Sequence, residues 1–143
     1  MKRDKDAVGC AYDPCALKAA DSETNMVENY LATNNLTAVK HCSGLYYKII
    51  NEGSGIAPTS CSSVYITYKG SYTNGNVFDK ATTPVSFSLA TLIDGWKNGL
   101  PLVKKGGKIM LYVPPTLGYG PADYRGIPGN SVLIFDIDLI DVQ

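Results

Sequence analysis

Residues 64–79 read VYITYKGSYTNGNVFD, two runs of β-branched and aromatic side chains on either side of Asn74-Gly75. That dipeptide predicts a tight hairpin, because both central positions of a type I′ turn need positive φ. Working outward, the same texture recurs in GLYYKII (44–50), VSFSL (85–89), KIMLYVP (108–114) and SVLIFDIDLIDV (131–142), with NVFD (76–79) and VSFSL read as separate runs. Gly106-Gly107 marks a second sharp turn before KIMLYVP. The exception is 91–98, where TLID resembles the start of a capping box, Leu92, Ile93 and Trp96 share one helical face, and Gly99 ends the helix. The expectation is an α+β fold, an antiparallel sheet with one helix laid against it. Such half-open packing leaves a cavity between helix and curved sheet, a normal place for an apolar ligand.

Upstream, DSETNMVENYLATN (21–34) places Val27, Tyr30 and Leu31 at i, i+3, i+4 spacing, with cap-type residues at Asp21 and Ser22 and a stop at Asn34-Asn35. One short amphipathic helix is expected there, docked on the main domain in preference to serving as a dimerisation helix. Residues 1–20 show no period and read as an irregular arm pinned by cysteine pairing.

A chain of 143 residues, 45% hydrophobic, suits one compact domain plus an extension. Lys plus Arg and Asp plus Glu balance at 13 each, so no net field recruits nucleic acid or an anionic membrane. No run reaches the roughly 18 apolar residues of a membrane span, and the charged start MKRDKDAVGC has no apolar segment behind it. A monomer is expected. Cys10, Cys15, Cys42 and Cys61 form an even set, which permits two disulfides in three connectivities. They contain no CxxC, and the single histidine, His41, does not complete a zinc site with cysteines so scattered. Neither metal nor cofactor is expected. Disulfides favour a periplasmic, envelope or secreted setting, its leader missing from this sequence, over a cytoplasmic one with four free thiols.

With one histidine on the chain, no Ser-His or Cys-His pairing for covalent catalysis stands out, which speaks against a hydrolase. The aromatic residues, spread over separate runs, suggest instead a pocket that binds and reshapes a substrate. In order and spacing VYITYKGSYTNGNVFD, ATLIDGWKNG (90–99), LGYG (117–120) and VLIFDIDLIDV (132–142) resemble the FKBP-type peptidyl-prolyl isomerases, from about Gly44 onward. The resemblance implies an FKBP-like curved antiparallel sheet wrapped around one short helix. It also implies an arm with one helix over 1–41 and the isomerase domain over 42–143.

Carried over, it puts Trp96 at the floor of a proline pocket, Tyr68, Phe78 and Phe135 on its aromatic walls, and Leu92 with Ile93 on its aliphatic edge. The Ile93 N–H and the Tyr119 hydroxyl would bind substrate carbonyls, and the Asp79 carboxylate would stand beside the imide as an electrostatic orienter. Catalytic roles thus fall to Asp79 and Tyr119. Where the family commonly has a further aromatic, the resemblance puts Val85, which implies a wider pocket and less certain affinity for macrolide immunosuppressant-type ligands. Ile127, with Tyr124 the weaker candidate, supplies an apolar contact from the overhanging loop PADYRGIPGNS (121–131). The implied topology runs the strands after Cys42 and Cys61 antiparallel, too far apart to bridge within roughly 7 Å of Cα separation. At least one of these cysteines should therefore pair with Cys10 or Cys15.

The implied activity is peptidyl-prolyl cis-trans isomerisation of unfolded or flexible proline-containing polypeptides during protein folding, without covalent catalysis. Each residue taken singly has a plainer reading: Trp96, Phe78 and Phe135 as core, Tyr68 and Tyr119 as surface tyrosines, Asp79 as a turn cap. Their ordered combination is what makes the pattern specific. The alternative function is a proline-recognising binding module or chaperone with little turnover, followed by a structural β domain without a site.

Overall fold

The computed structural model describes residues 11–143. The chain runs α1 (Asp21–Thr33), β1 (Val39–Lys40), β2 (Tyr46–Asn51), β3 (Ser63–Tyr72), β4 (Val77–Ser88), α2 (Asp94–Gly99), β5 (Lys108–Val113) and β6 (Leu133–Val142). The strands form one sheet in the order β1-β2-β5-β6-β3-β4, and every neighbouring pair is antiparallel. The expected α+β class holds.

Alternation along the strands divides the sheet into two working faces. Leu111 and Phe135, paired across β5 and β6, point inward with Leu45, Ile66, Ile109 and Ile137, and α2 lies on this face through Trp96. Their neighbours Tyr112 and Ile134 point outward and, with Tyr46 and Val132, receive Val27 and Leu31 of α1. The upstream helix is thus docked, as its spacing predicts, and seals the outer face. Its cap differs from expectation. The residue before the helix is Ala20, with no side-chain cap, and Glu23 is spent on a tertiary contact. The Glu23 carboxylate accepts the Thr116 N–H at 2.8 Å and its hydroxyl at 2.7 Å, fastening α1 to the turn at Pro115–Leu117.

Three local readings are corrected. Gly75 has φ +91° but Asn74 is not among the residues with positive φ, and Gly75 N–H bonds the Tyr72 carbonyl at 3.0 Å. This is the geometry of a type I turn closed by a left-handed glycine, not a type I′ turn. NVFD and VSFSL are parts of one strand, β4, which pairs only with β3 among the described residues. Pro84 interrupts the pattern without ending the strand, because an edge position asks no N–H of it. Finally, 91–93 are not the first turn of a helix: a 3₁₀ turn spans Leu89–Thr91, Ile93 is extended (φ −61°, ψ 153°), and α2 begins at Asp94. The Thr91 hydroxyl donates back to the Ser88 carbonyl at 2.9 Å and so is not a cap.

Ahead of α1 the chain is irregular and is tied down. Cys15 and Cys42 are joined by a disulfide with Cα atoms 5.4 Å apart, which meets the expectation that at least one of Cys42 and Cys61 pairs with Cys10 or Cys15. Cys61 is also disulfide-bonded, and Cys10 lies outside the described residues. The tethered strap lies against α2: the Tyr12 hydroxyl donates to Asn98 Oδ1 at 2.7 Å, and Asn98 Nδ2 donates to the Pro14 carbonyl at 3.2 Å. Burial and the nearby Asp94 carboxylate push the Tyr12 hydroxyl up to about 12.

Candidate functional site

The inner face of β3, β4 and β6 is rich in rings, and the backbone explains how they converge. Gly70 sits mid-strand on β3, opposite Phe135 on one side and Asp79 on the other. A Cβ there would stand 2.8 Å from both the Phe135 and Phe78 rings, so only glycine lets those rings meet edge to face at 5.7 Å. The ladder also slips beside it: Ser71 faces Val77 and Gly70 faces Asp79, which leaves Phe78 as the extra residue of a bulge. Bulges redirect side chains next to functional sites, and here the bulge presents both Phe78 and Asp79 to one cavity.

Opposite the sheet, α2 comes down close. A Cβ on Gly99 would meet the Leu111 side chain at 2.5 Å, so the helix is seated directly on β5 and Trp96 is carried into the core, 5% exposed. Its indole meets Phe135 at 5.2 Å and 87°, Tyr68 at 5.2 Å and 80°, and Phe87 at 6.1 Å and 85°. These perpendicular contacts set positive ring edges against negative faces, each worth about 0.5–1.5 kcal/mol beyond its buried area. The indole N–H is buried with no hydrogen-bond partner among the described residues. An unpaired buried donor costs about 1–3 kcal/mol, which stability alone does not explain.

The result is a pocket of about 140 Å³ lined by Trp96, Phe135, Tyr68, Phe78, Asp79 and Tyr119, with Phe87, Leu92 and Ile93 completing the rim. That volume is below the roughly 300–1,000 Å³ of drug-sized sites and matches a single small apolar ring. Polar groups are few and sit at its edge. Tyr68 donates its hydroxyl to Asp79 Oδ2 at 2.8 Å. Burial first, and then this hydrogen bond and the Asp79 charge, hold the Tyr68 proton well above the usual tyrosine range. Tyr119 is also shifted upward, chiefly by burial. Its ring stacks on Tyr124 at 4.7 Å. Across the rim, no hydrogen bond joins the Ile93 N–H to another described residue, because the extended turn before α2 leaves it outside the helix.

Eight residues selected from the sequence, Tyr68, Phe78, Asp79, Leu92, Ile93, Trp96, Tyr119 and Phe135, are thus brought around one cavity. Ile127 is set beside it, packing on the inner core and lining an adjoining groove with Tyr72, Tyr124 and the rim residues Phe78, Asp79 and Tyr119. Val85 is a correction: it packs on the core opposite Ile66 and does not line the pocket, whereas Phe87 does. The two residues share a strand face, and β4 spends Thr82, Thr83 and Pro84 opposite Thr67 alone, which carries Val85 beyond the pocket and brings Phe87 to Trp96. The aromatic wall is therefore complete, and the wider pocket expected from Val85 is not formed. Sequence reasoning had in Pro84 the signal for this slip, since a proline inside a strand run marks an edge or a bulge. Gly70 was also missed; an isolated glycine within a strand pattern signals close approach.

A family model described as FKBP-type peptidyl-prolyl cis-trans isomerase matches residues 55–140. The FKBP-type peptidyl-prolyl cis-trans isomerase FkpA of Escherichia coli strain K12 is 43% identical over 129 residues, covering 87% of this chain and 48% of the relative. The peptidyl-prolyl cis-trans isomerase Mip of Coxiella burnetii is 39% identical over 117 residues, covering 78% of this chain and 51% of the relative. The chain thus spans about half the length of these curated relatives. Among solved structures, Escherichia coli FkpA superposes with a TM-score of 0.78 at 38% identity, over 87% of this chain and 61% of that one. A peptidyl-prolyl cis-trans isomerase from Pseudomonas syringae superposes with a TM-score of 0.75 at 25% identity, over 90% of this chain and 99% of that one.

Proposed function

This chain belongs to the FKBP-type peptidyl-prolyl cis-trans isomerases, and from that premise we propose that it accelerates rotation about X-Pro bonds in unfolded or flexible polypeptides. The observation that carries the reading is the ring-lined pocket of about 140 Å³ over Trp96, with hydrogen-bonding groups only at its rim. The barrier to rotation, about 18–20 kcal/mol, comes from partial double-bond character of the C–N link. A proline ring laid on the Trp96 face leaves water, and its imide enters surroundings that disfavour the charge-separated resonance form holding it planar. The Ile93 N–H and the Tyr119 hydroxyl are placed at the rim to bind carbonyls of the twisted chain. Bonds that strengthen only in the twisted geometry lower the barrier. Asp79, fixed by Tyr68, orients the field at the imide. No nucleophile takes part.

We place the catalytic unit at 42–143, with α1 of the 1–41 arm as its outer buttress, acting as a monomer without a cofactor. The Cys15–Cys42 disulfide supports an oxidising compartment such as the periplasm or envelope. No helix among the described residues is long and apolar enough to cross a membrane. Macrolide-type ligands are candidate inhibitors, because Phe87 supplies the wall that such ligands would press against. The same residue closes the side of the pocket that Val85 was expected to leave wide.

The test is the cis-to-trans exchange rate of a short X-Pro peptide, measured by exchange NMR with and without the protein. Acceleration that Trp96→Leu lowers by about a hundredfold, near 2.7 kcal/mol of barrier, supports the reading. Binding without acceleration sinks it.

A further inference from the structure

The pocket does not end at its rim. Phe78, Asp79 and Tyr119 line both the pocket and the adjoining groove of about 360 Å³, in which Tyr72 also takes part. Tyr72 in turn lines a larger cavity of about 640 Å³ between α1, the β3–β4 turn and the residues after Pro128. Its walls include Met26 and Asn29 from α1, Asn74 and Asn76 from the turn, and Asn130 from the loop before β6. One surface therefore runs from the proline pocket over Tyr72 to the outer helix, through side chains that each cavity shares with the next.

We propose that this outer cavity receives the extended polypeptide flanking the target proline, as a subsite that reads main chain rather than side chains. The inference rests on the isomerase reading and names its substrate class: polypeptides that continue well beyond the proline, not isolated X-Pro units. The composition of the walls carries it. They hold no Lys, Arg, His, Asp or Glu, so the cavity selects neither anions nor cations. They are instead dense in neutral amides, and the side chains of Asn29, Asn76 and Asn130 make no hydrogen bond to another described residue. Each such amide offers two donors and an acceptor, the complement of the N–H and C=O groups of an extended chain. Met26, 41% exposed, adds an unbranched and adaptable apolar contact that accepts varied side chains. The volume lies within the usual range of ligand sites. Met26 and Asn29 precede residue 55, so α1 supplies a wall that the matched family segment does not include.

The test uses the full chain and two peptides with the same X-Pro centre, one short and one extended by several residues on both sides. The expected result is a higher kcat/KM for the long peptide, with Asn29→Trp, an exposed position on α1, reducing that advantage about three- to tenfold, the worth of one hydrogen bond or so. Short-peptide turnover should be unchanged by the substitution. Side-chain amide NMR signals of Asn29, Asn76 and Asn130 should shift with the long peptide and not with the short one. Equal kcat/KM for both peptides in the unsubstituted chain, or an equal effect of Asn29→Trp on both, overturns the proposal. If neither peptide is turned over, the isomerase reading fails by itself, and the outer cavity is then judged by the shifts: none with the long peptide overturns it. Shifts that depend on protein concentration without any peptide would assign the cavity to a second copy of the chain and overturn it equally.

Discussion

Two tyrosines on opposite faces of the sheet do the same chemistry to different ends. Tyr68 donates to Asp79 on the inner face; Tyr46, 4% exposed, donates to Glu28 of α1 on the outer face. Burial, and then the carboxylate partner, raises both hydroxyls well above the ordinary tyrosine range. Yet the Tyr46 pair bridges a helix to a strand with its ring in a closed apolar cluster, while the Tyr68 pair stands at the edge of a cavity. A tyrosine–carboxylate bond is thus not a signature of function. What differs at Tyr68 is the room beside the pair, which the backbone leaves through Gly70 and the Phe78 bulge.

The most severe way to break the contrast is to loosen both faces at once. Cys42→Ser opens the Cys15–Cys42 link, which spans 27 residues and frees the strap on α2. Loop entropy puts the expected loss of unfolding free energy at about 3.5 kcal/mol, to be read by denaturant titration with and without reductant. Separating the faces is a sharper experiment. Tyr46→Phe should lower stability by about 1 kcal/mol and leave turnover intact. Tyr68→Phe should lower turnover about tenfold, near 1.4 kcal/mol of barrier, with stability moved less than by Tyr46→Phe. If Tyr46→Phe lowers turnover as far as Tyr68→Phe does, the division of labour between faces is wrong.

Titration tests what the two tyrosines share. A hydroxyl whose proton is held more tightly in the folded chain than in the unfolded one, near 10, stabilises the fold fully below that pH and loses its contribution as pH rises above it. For Tyr12, pushed up to about 12, and for Tyr46 and Tyr68, this predicts stability that falls above pH 10 and no tyrosine-linked change near neutrality. Tyr46→Phe or Tyr68→Phe should each make that alkaline fall less steep in denaturation curves. His41 acts with the opposite sign: burial lowers its pKa, so its share of stability is lost as pH drops below about 6.5. The smallest expected effect is Val85→Phe, under about twofold in turnover, since Val85 lies outside the pocket. A larger effect there would restore Val85 to the site in place of Phe87.

The parts of the molecule legible in sequence were those where residue type and period agree. Phe135 and Tyr68 sit on clear strand-like runs, and their convergence on Trp96 followed from the resemblance. The helix at 21–33 followed from the 27, 30, 31 spacing. What was not legible depends on ladder register. Nothing in VSFSL distinguishes Val85 from Phe87, both on one face, until the residues opposite Thr67 are counted. The start of α2 was hidden because Thr91 has the composition of a cap and the backbone of a 3₁₀ turn. The strap over 12–15 has no period at all; a disulfide and Asn98 hold it, and neither partner is close in sequence.

The sheet ends, among the described residues, in β1 and β4. One is two residues long and ends in Lys40; the other carries Pro84, which has no N–H to offer. Free strand edges are templates on which foreign chains pair and aggregate, and short length, lysine and proline are the devices that blunt them. For a protein proposed to handle unfolded polypeptides, such edges keep a client from being recruited as an added strand, so that release does not require unzipping a ladder.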